Sequence, residues 1–251
     1  MRLYNYLKVL ATLLLVASFN QSCTDLDEEL FSQVTEDNFF KTEEEFISAL
    51  GAAYTSLRGY GGNGSIFSAQ EVTSDEIVVP TRGNDWNDGG NWRALYLHTY
   101  GPETDNVRDT WPFLYGGVNA CNRLIFQFQN LDVAGKDAFV SELKALRALY
   151  YMWLLDIYGN VPIVDRFDVP DGFAPANNTR AEVYAFVERE LVQNLPNLSK
   201  NVDQSTYGRM NYYAAQAVLA NLYLNAQVYT GKAEWAKAAA AADEIINSGK
   251  Y

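Results

Sequence analysis

The sequence predicts an all-α protein, an array of packed helices joined by long irregular loops. Three observations predict it. Through residues 139–157, Phe139, Leu143, Leu146, Tyr150, Trp153, Leu154 and Ile157 recur at steps of three and four, the spacing that places side chains on one stripe of a 3.6-residue helix. Within that stretch Leu149, Tyr150, Tyr151, Met152, Trp153 and Leu154 are consecutive, so apolar groups cover more than one stripe and the helix must be buried on two sides, as a central helix in a layered array is. Helix start signals of the capping-box type, Thr42 with Glu45 and Thr179 with Glu182, open two further helices.

In chain order, Thr42 and the acidic run Glu43, Glu44 and Glu45 start a first helix that reaches about Arg58, its carboxylates favoured at the positive end of the helix dipole. Residues 59–64 (GYGGNG) form a glycine-rich flexible connection. They lack the spacing of a phosphate-binding loop and the flanking strand and helix that such a loop needs, which argues against a nucleotide site there. Residues 65–79 hold Glu71, Asp75 and Glu76 in a partly apolar setting that suits another short helix. Residues 107–128 form the second major helix, with Trp111, Leu114, Tyr115, Val118, Cys121 and Ile125 at helical spacing and Pro112 near its start, where proline is tolerated. Gly135 separates it from the helix opening at Asp137. Gly159 and Pro162 end that helix and force an extended exit through Val161, Ile163 and Val164. A polar connection over 165–178 leads to the helix from Arg180 to about Leu195, stopped by Pro196. Residues 211–229 and 233–247 form a last pair in which Ala217, Ala220, Ala239 and Ala242 allow close contact. Two antiparallel helices with alanines at their crossings resemble a tetratricopeptide unit.

The segment richest in functional signal is 80–102 (PTRGNDWNDGGNWRALYLHTYGP), loop-like and poor in aliphatic residues. It holds Arg82, Asp85, Trp86, Asn87, Asp88, Asn91, Trp92, Arg93, Tyr96 and Tyr100, and loops on a rigid scaffold are where binding residues gather. An indole offers the C–H face of a sugar an apolar platform, while Arg, Asn and Asp supply donors and acceptors for its hydroxyls. Trp86 and Trp92 have a second reading, as plugs between the loop and the helices beneath.

Composition narrows the function. The 251 residues are 48% hydrophobic and 14% aromatic, enough for one substantial core or two small ones, and a net charge of −12 without any basic run argues against nucleic acid and anionic membrane surfaces as partners. The amino terminus is a module of its own. Arg2 and Lys8 precede an apolar run over 9–17 that is too short to cross a bilayer of ~30 Å at ~1.5 Å per residue, the signature of a signal peptide over 1–22. The Ser22-Cys23 junction suits bacterial lipoprotein processing, with acylation of Cys23, although Asn20 stands where such junctions usually carry Leu. Residues 23–41 then form a lipidated tether whose acidic run, Asp25 to Glu29, suits either export to the cell surface or simple solvation. Cys121 reads as a small buried hydrophobe, so no structural disulfide is expected. The single histidine, His98, has no Cys or His cluster around it, so neither a metal site nor a catalytic triad is expected. Paired carboxylates such as Glu71 with Asp75 or Glu76 keep a glycoside hydrolase as an alternative, and a pure protein-interaction scaffold is another.

Four stretches together resemble the SusD/RagB family of nutrient-uptake outer membrane lipoproteins. They are Cys23 with its acidic tail, residues 109–125 (DTWPFLYGGVNACNRLI), residues 142–163 (ELKALRALYYMWLLDIYGNVPI), and residues 208–229 with the closing INSGKY. The third is the most specific, a Leu-Arg-Ala helix ending in Tyr-Gly-x-Val-Pro. The resemblance implies a tetratricopeptide-like fold over 42–251, a surface location through the lipid anchor at Cys23, no catalysis and no cofactor. It also implies binding of an oligosaccharide or other nutrient, delivered to a TonB-dependent transporter of the SusC type. Its glycan contacts come from the loop after the first helices, which maps to Asp75, Arg82, Trp86, Asn91, Trp92 and Tyr96. Family members are longer, with a second, more irregular half, so the resemblance makes 42–251 the first portion of a longer domain.

Overall fold

The computed structural model describes residue 40, residues 42–74 and residues 76–251. These belong to the second of two units, Phe39–Tyr251. The expected signal peptide, the expected acylation site Cys23 with its acidic tail, and the candidate contact Asp75 lie outside the described residues. Among the described residues the fold is all-α, as expected, with nine α-helices and no strand.

Helix α1, Glu43–Thr55, opens on the capping box: Thr42 Oγ1 accepts from the Glu45 amide at 3.3 Å while Glu45 Oε2 accepts from the Thr42 amide at 2.9 Å. It buries Phe46, Leu50 and Ala53. Helix α2, Ile66–Val72, is the short helix expected within 65–79. The glycine-rich loop before it is tied down: Ser68 Oγ donates to Asn63 O at 2.7 Å, and Asn106 Nδ2 donates to Asn63 O at 3.0 Å and to Ser68 Oγ at 2.8 Å.

The segment 80–102 corrects the sequence reading, because it is not all loop. A 3₁₀ turn, Asp88–Gly90, feeds helix α3, Asn91–Tyr96, which turns Trp92 and Leu95, three residues apart, inward onto Val72. With Ile77, Val79 and Val107 at its margin this is a small core of its own, separate from the main one.

Helix α4, Asp105–Gln129, begins two residues earlier than expected, and Pro112, expected near its start, falls in its interior. Proline cannot donate to the carbonyl of Arg108. Both Pro112 and Arg108 are exposed, so water can satisfy that carbonyl, and the helix continues. Helix α5, Lys136–Tyr158, is the spine: Leu143, Leu146, Tyr150, Tyr151, Leu154 and Leu155 are fully buried, and the helix packs against both α4 and α6, Arg180–Asn194. Six residues join α4 to α5, and extensive packing across so short a link requires the two to run antiparallel.

Close packing is built into α4. A Cβ on Gly117 would stand 2.3 Å from the Tyr150 ring, so only glycine lets α5 approach here. Gly159 ends α5 with φ 75°, and a Cβ there would meet the Arg180 guanidinium at 2.8 Å. The extended exit is strapped to the helices: Tyr115 Oη donates to Pro162 O at 2.7 Å, Asn122 Nδ2 donates to Val164 O at 2.9 Å, and the Val164 amide donates to Tyr151 Oη at 2.7 Å. Beneath it Arg147, 3% exposed, donates from Nε to Glu190 Oε2 at 2.9 Å and from Nη1 to Asn122 Oδ1 at 2.7 Å and Asp165 O at 2.8 Å. One guanidinium thus joins α4, α5, α6 and the exit.

The last pair departs from expectation in two ways. The helix read over 211–229 breaks into α7, Tyr212–Leu224, and α8, Ala226–Thr230, because Asn225 Nδ2 turns back onto Asn221 O at 3.0 Å and Asn221 Oδ1 at 2.8 Å, competing with the backbone ladder. The alanines buried on α7, α8 and α9, Trp235–Ile246, are Ala215, Ala226, Ala238 and Ala241. Ala217 and Ala239, expected at the crossing, are exposed. Helix α7 packs against α9 along its length.

Candidate functional site

Residues between Gly61 and Trp92 line a cavity of about 390 Å³, within the range of small-molecule sites. One wall is the glycine-rich loop, Gly61 to Asn63; another is the outer face of α2, with Phe67 and Glu71; the third is the strand-like run Ile77 to Pro80. Arg82, Asp85, Trp86 and Trp92 close it.

The loop chemistry explains how these groups are presented. Arg82 and Asp85 exchange both backbone hydrogen bonds at 3.0 Å around Gly83 and Asn84, a tight two-residue turn with Gly83 at φ 63°. Trp86 follows with φ 56° and Asp88 with φ 40°, a left-handed backbone that is strained for a residue as bulky as tryptophan and that gathers at functional sites. The strain is held by neighbours. Thr81 Oγ1 donates to Trp86 O at 3.4 Å, and the Trp86 ring leans on Trp92 at 5.7 Å between centroids and 59° between planes.

The two indoles differ. Trp92 is 6% exposed and donates from Nε1 to Asp88 Oδ2 at 2.5 Å, so it plugs the small core. Trp86 is 37% exposed and presents its ring to the cavity. Of the residues proposed from sequence, the structure therefore brings together Arg82, Trp86 and Trp92. Asn91 does not line the cavity; its Nδ2 donates to Asp105 Oδ2 at 2.5 Å. Tyr96 is exposed but also lies off the cavity. Sequence reasoning missed Phe67 and the aliphatic wall Ile77 to Pro80. The signal for Phe67 was its place one turn before Glu71, off the Ile66, Ala69 and Val72 face that α2 buries.

Other reactive groups are accounted for. His98, at the end of α3, pairs through Nε2 with Thr73 O at 2.8 Å. Cys121 is fully buried and burial pushes its thiol up to about 12, so it is no nucleophile at neutral pH. Among the described residues no group of three or more His, Cys, Asp or Glu is placed to hold a metal ion. A larger cleft of about 960 Å³ lies between α1, α5 and the loop 197–211, but its one arginine is already paired: Arg209 Nη2 lies 2.6 Å from Glu142 Oε2, and Tyr54 engages the same carboxylate, its Oη donating to Glu142 Oε1 at 2.6 Å. Of these two, the smaller offers an exposed ring beside polar groups.

A helical array carrying an aromatic-floored loop cavity defines a class of binding scaffold, its ligand contacts grafted onto loops that packed helices hold in place. Within that class the chain belongs to the SusD-like family: the family described as starch-binding and associating with the outer membrane matches residues 26–224. Among its relatives, the starch-binding protein SusD of Bacteroides thetaiotaomicron is 26% identical over 182 residues, 72% of this chain and 31% of that protein. The SusD-like protein P2 of Formosa agariphila is 24% identical over 90% of this chain and 43% of that protein. Among solved structures, a laminarin-binding SusD-like protein superposes with a TM-score of 0.70 and 28% identity, over 82% of this chain and 44% of the other. The surface glycan-binding protein A of Bacteroides uniformis does so with 0.67 and 25%, over 82% and 46%. The chain thus spans less than half the length of each of these. No helix among the described residues is long and apolar enough to cross a membrane.

Proposed function

We propose that this chain binds a neutral oligosaccharide without transforming it, and that Trp86 is the stacking platform. The observation that carries the reading is the half-open indole of Trp86, held in a strained loop over a cavity whose remaining polar groups include Arg82, Asp85 and Glu71. A pyranose has one apolar face and an edge of hydroxyls, and this cavity offers a ring for the first and donors and acceptors for the second. Two carboxylates against one guanidinium, on a protein of net charge −12, disfavour polyanionic glycans and favour neutral ones. Relatives named for starch, laminarin and surface glycans support the same class of ligand.

The wider setting belongs to the same proposal. Residues 1–22 act as a signal peptide, residues 23–41 as a tether acylated at Cys23, and residues 42–251 as the helical domain. The anchored protein sits on the outer face of the outer membrane and passes its ligand to a TonB-dependent transporter of the SusC type. Asp75, three residues after α2 in sequence, and Asn91 and Tyr96, at the two ends of α3, remain part of the proposed contact set for a ligand longer than the cavity.

Isothermal titration with maltoheptaose and with laminarihexaose tests the reading. Trp86→Ala is expected to weaken binding of the cognate glucan about 10- to 30-fold, a loss of ~1.4–2 kcal/mol typical of an aromatic anchor. Unchanged affinity in this variant removes Trp86 from the site.

A further inference from the structure

A second aromatic groove, about 550 Å³, lies beyond α3, lined by Tyr100, Pro102, Val107, Arg108, Trp111 and Tyr158. We infer that it is a second saccharide subsite, in which one sugar ring stacks on Trp111 with its hydroxyls toward Arg108. This rests on the oligosaccharide reading above and goes beyond it, since the groove shares no lining residue with the Trp86 cavity.

The groove is built around one ring. Trp111, in the second turn of α4, is 37% exposed and wedged on two sides. Tyr158 meets it edge-on at 5.0 Å and 80°, and Tyr115 lies against it at 4.9 Å and 44°. Both tyrosines are fixed by their hydroxyls: Tyr158 Oη donates to Val107 O at 2.5 Å and Tyr115 Oη donates to Pro162 O at 2.7 Å. The open indole face is therefore set in place before any ligand arrives, which lowers the ordering cost of stacking on it. Tyr100, 44% exposed, and Pro102 form the facing wall.

The rim decides the ligand class. The Arg108 guanidinium pairs with Asp105 at 2.9 Å and with Asp109 at 2.8 Å, all three side chains about half exposed to water. An apolar peptide side chain pressed into the groove would desolvate this charged rim without offering it partners, an unfavourable exchange. A sugar ring covers the indole with its C–H face and leaves its edge hydroxyls to donate to the aspartates and accept from the arginine. Asp105 also accepts from Asn91 Nδ2, so the rim is joined directly to the start of α3, whose Trp92 supports the first cavity.

Indole N–H resonances of the five tryptophans test this site by site, with Trp111→Phe assigning its signal. Titration with maltotriose and with laminaritriose is expected to move the Trp111 signal, and to move it equally in Trp86→Ala. Tyr100→Ala, an exposed change that leaves the fold intact by thermal unfolding, is expected to weaken that response about tenfold, ~1.4 kcal/mol. A Trp111 signal that stays still while Trp86 responds overturns the second subsite and leaves the function standing. Signals that stay still at both positions overturn both. A Trp111 signal moved by an apolar tripeptide but by neither trisaccharide assigns the groove to protein and overturns the inference.

Discussion

At the scale of single residues, Trp86 and Trp92 show how far local composition can be read. Both sit in the same Gly, Asn and Asp setting, and composition cannot distinguish a ring that faces water from one that faces a core. The only local sign was Leu95, three residues after Trp92, which marks a shared inward face; Trp86 has no such partner and instead carries a positive φ, which the identity of its residue would never suggest. The difference separates two experiments that look alike. Trp92→Ala empties a buried site and breaks the bond to Asp88, so it is expected to destabilise the protein by about 3–5 kcal/mol in urea unfolding. Trp86→Ala, a half-exposed ring, should leave stability within about 1 kcal/mol of wild type. If both variants lose stability equally, the contrast drawn between an open and a buried indole fails.

At the scale of elements, what could be read was whatever a helix writes into its ends and its stripe. Thr42 and Thr179 opened helices where their capping boxes said they would, and Gly159 with Pro162 closed the spine. What could not be read was a choice among equivalent faces. Helix α7 is alanine-rich and apolar nearly all round, so periodicity does not say which alanines pack, and the fully buried one proved to be Ala215, with Ala220 half-buried and Ala217 exposed. The adjacent glycines of α4 make the same point in testable form. Gly116 has open space where a Cβ would go, whereas Gly117 has the Tyr150 ring. Gly116→Ala should stabilise by about 0.5–1 kcal/mol through helix propensity alone. Gly117→Ala gains the same propensity but overpacks a ring that is fully buried and tethered through its hydroxyl to Ala53 O, and a net loss of about 1–2 kcal/mol is expected. Thermal midpoints of the two variants, shifted in opposite directions, are the check; equal shifts would mean that α4 and α5 do not approach as closely as described.

At the scale of the whole molecule, the resemblance carried by residues 109–125 and 142–163 pointed to the right fold because those stretches make the contacts that define it: Gly117 against Tyr150, Arg147 among α4, α6 and the exit, Tyr151 under Val164. The site was less legible for the complementary reason. Its walls come from a glycine loop, one face of a seven-residue helix and an aliphatic run, and nothing in their sequence says that they converge. Ties between distant parts of the chain are equally hidden from sequence pattern, and the Tyr54 hydroxyl makes two of them. It donates to Glu142, 88 residues away, and accepts from the Met210 amide, 156 residues away, closing the first helix onto the spine and onto the loop that leads into α7. Links of that range are the slowest to find, because the loop must be closed before the contact repays it. The interaction is therefore expected to form in the last stage of assembly, after the rate-limiting barrier. Tyr54→Phe is expected to accelerate unfolding severalfold in stopped-flow denaturant jumps while leaving the refolding rate nearly unchanged; the reverse pattern would place this closure in the nucleus. A single phenol would then govern how long the folded array persists and have little say in how quickly it forms.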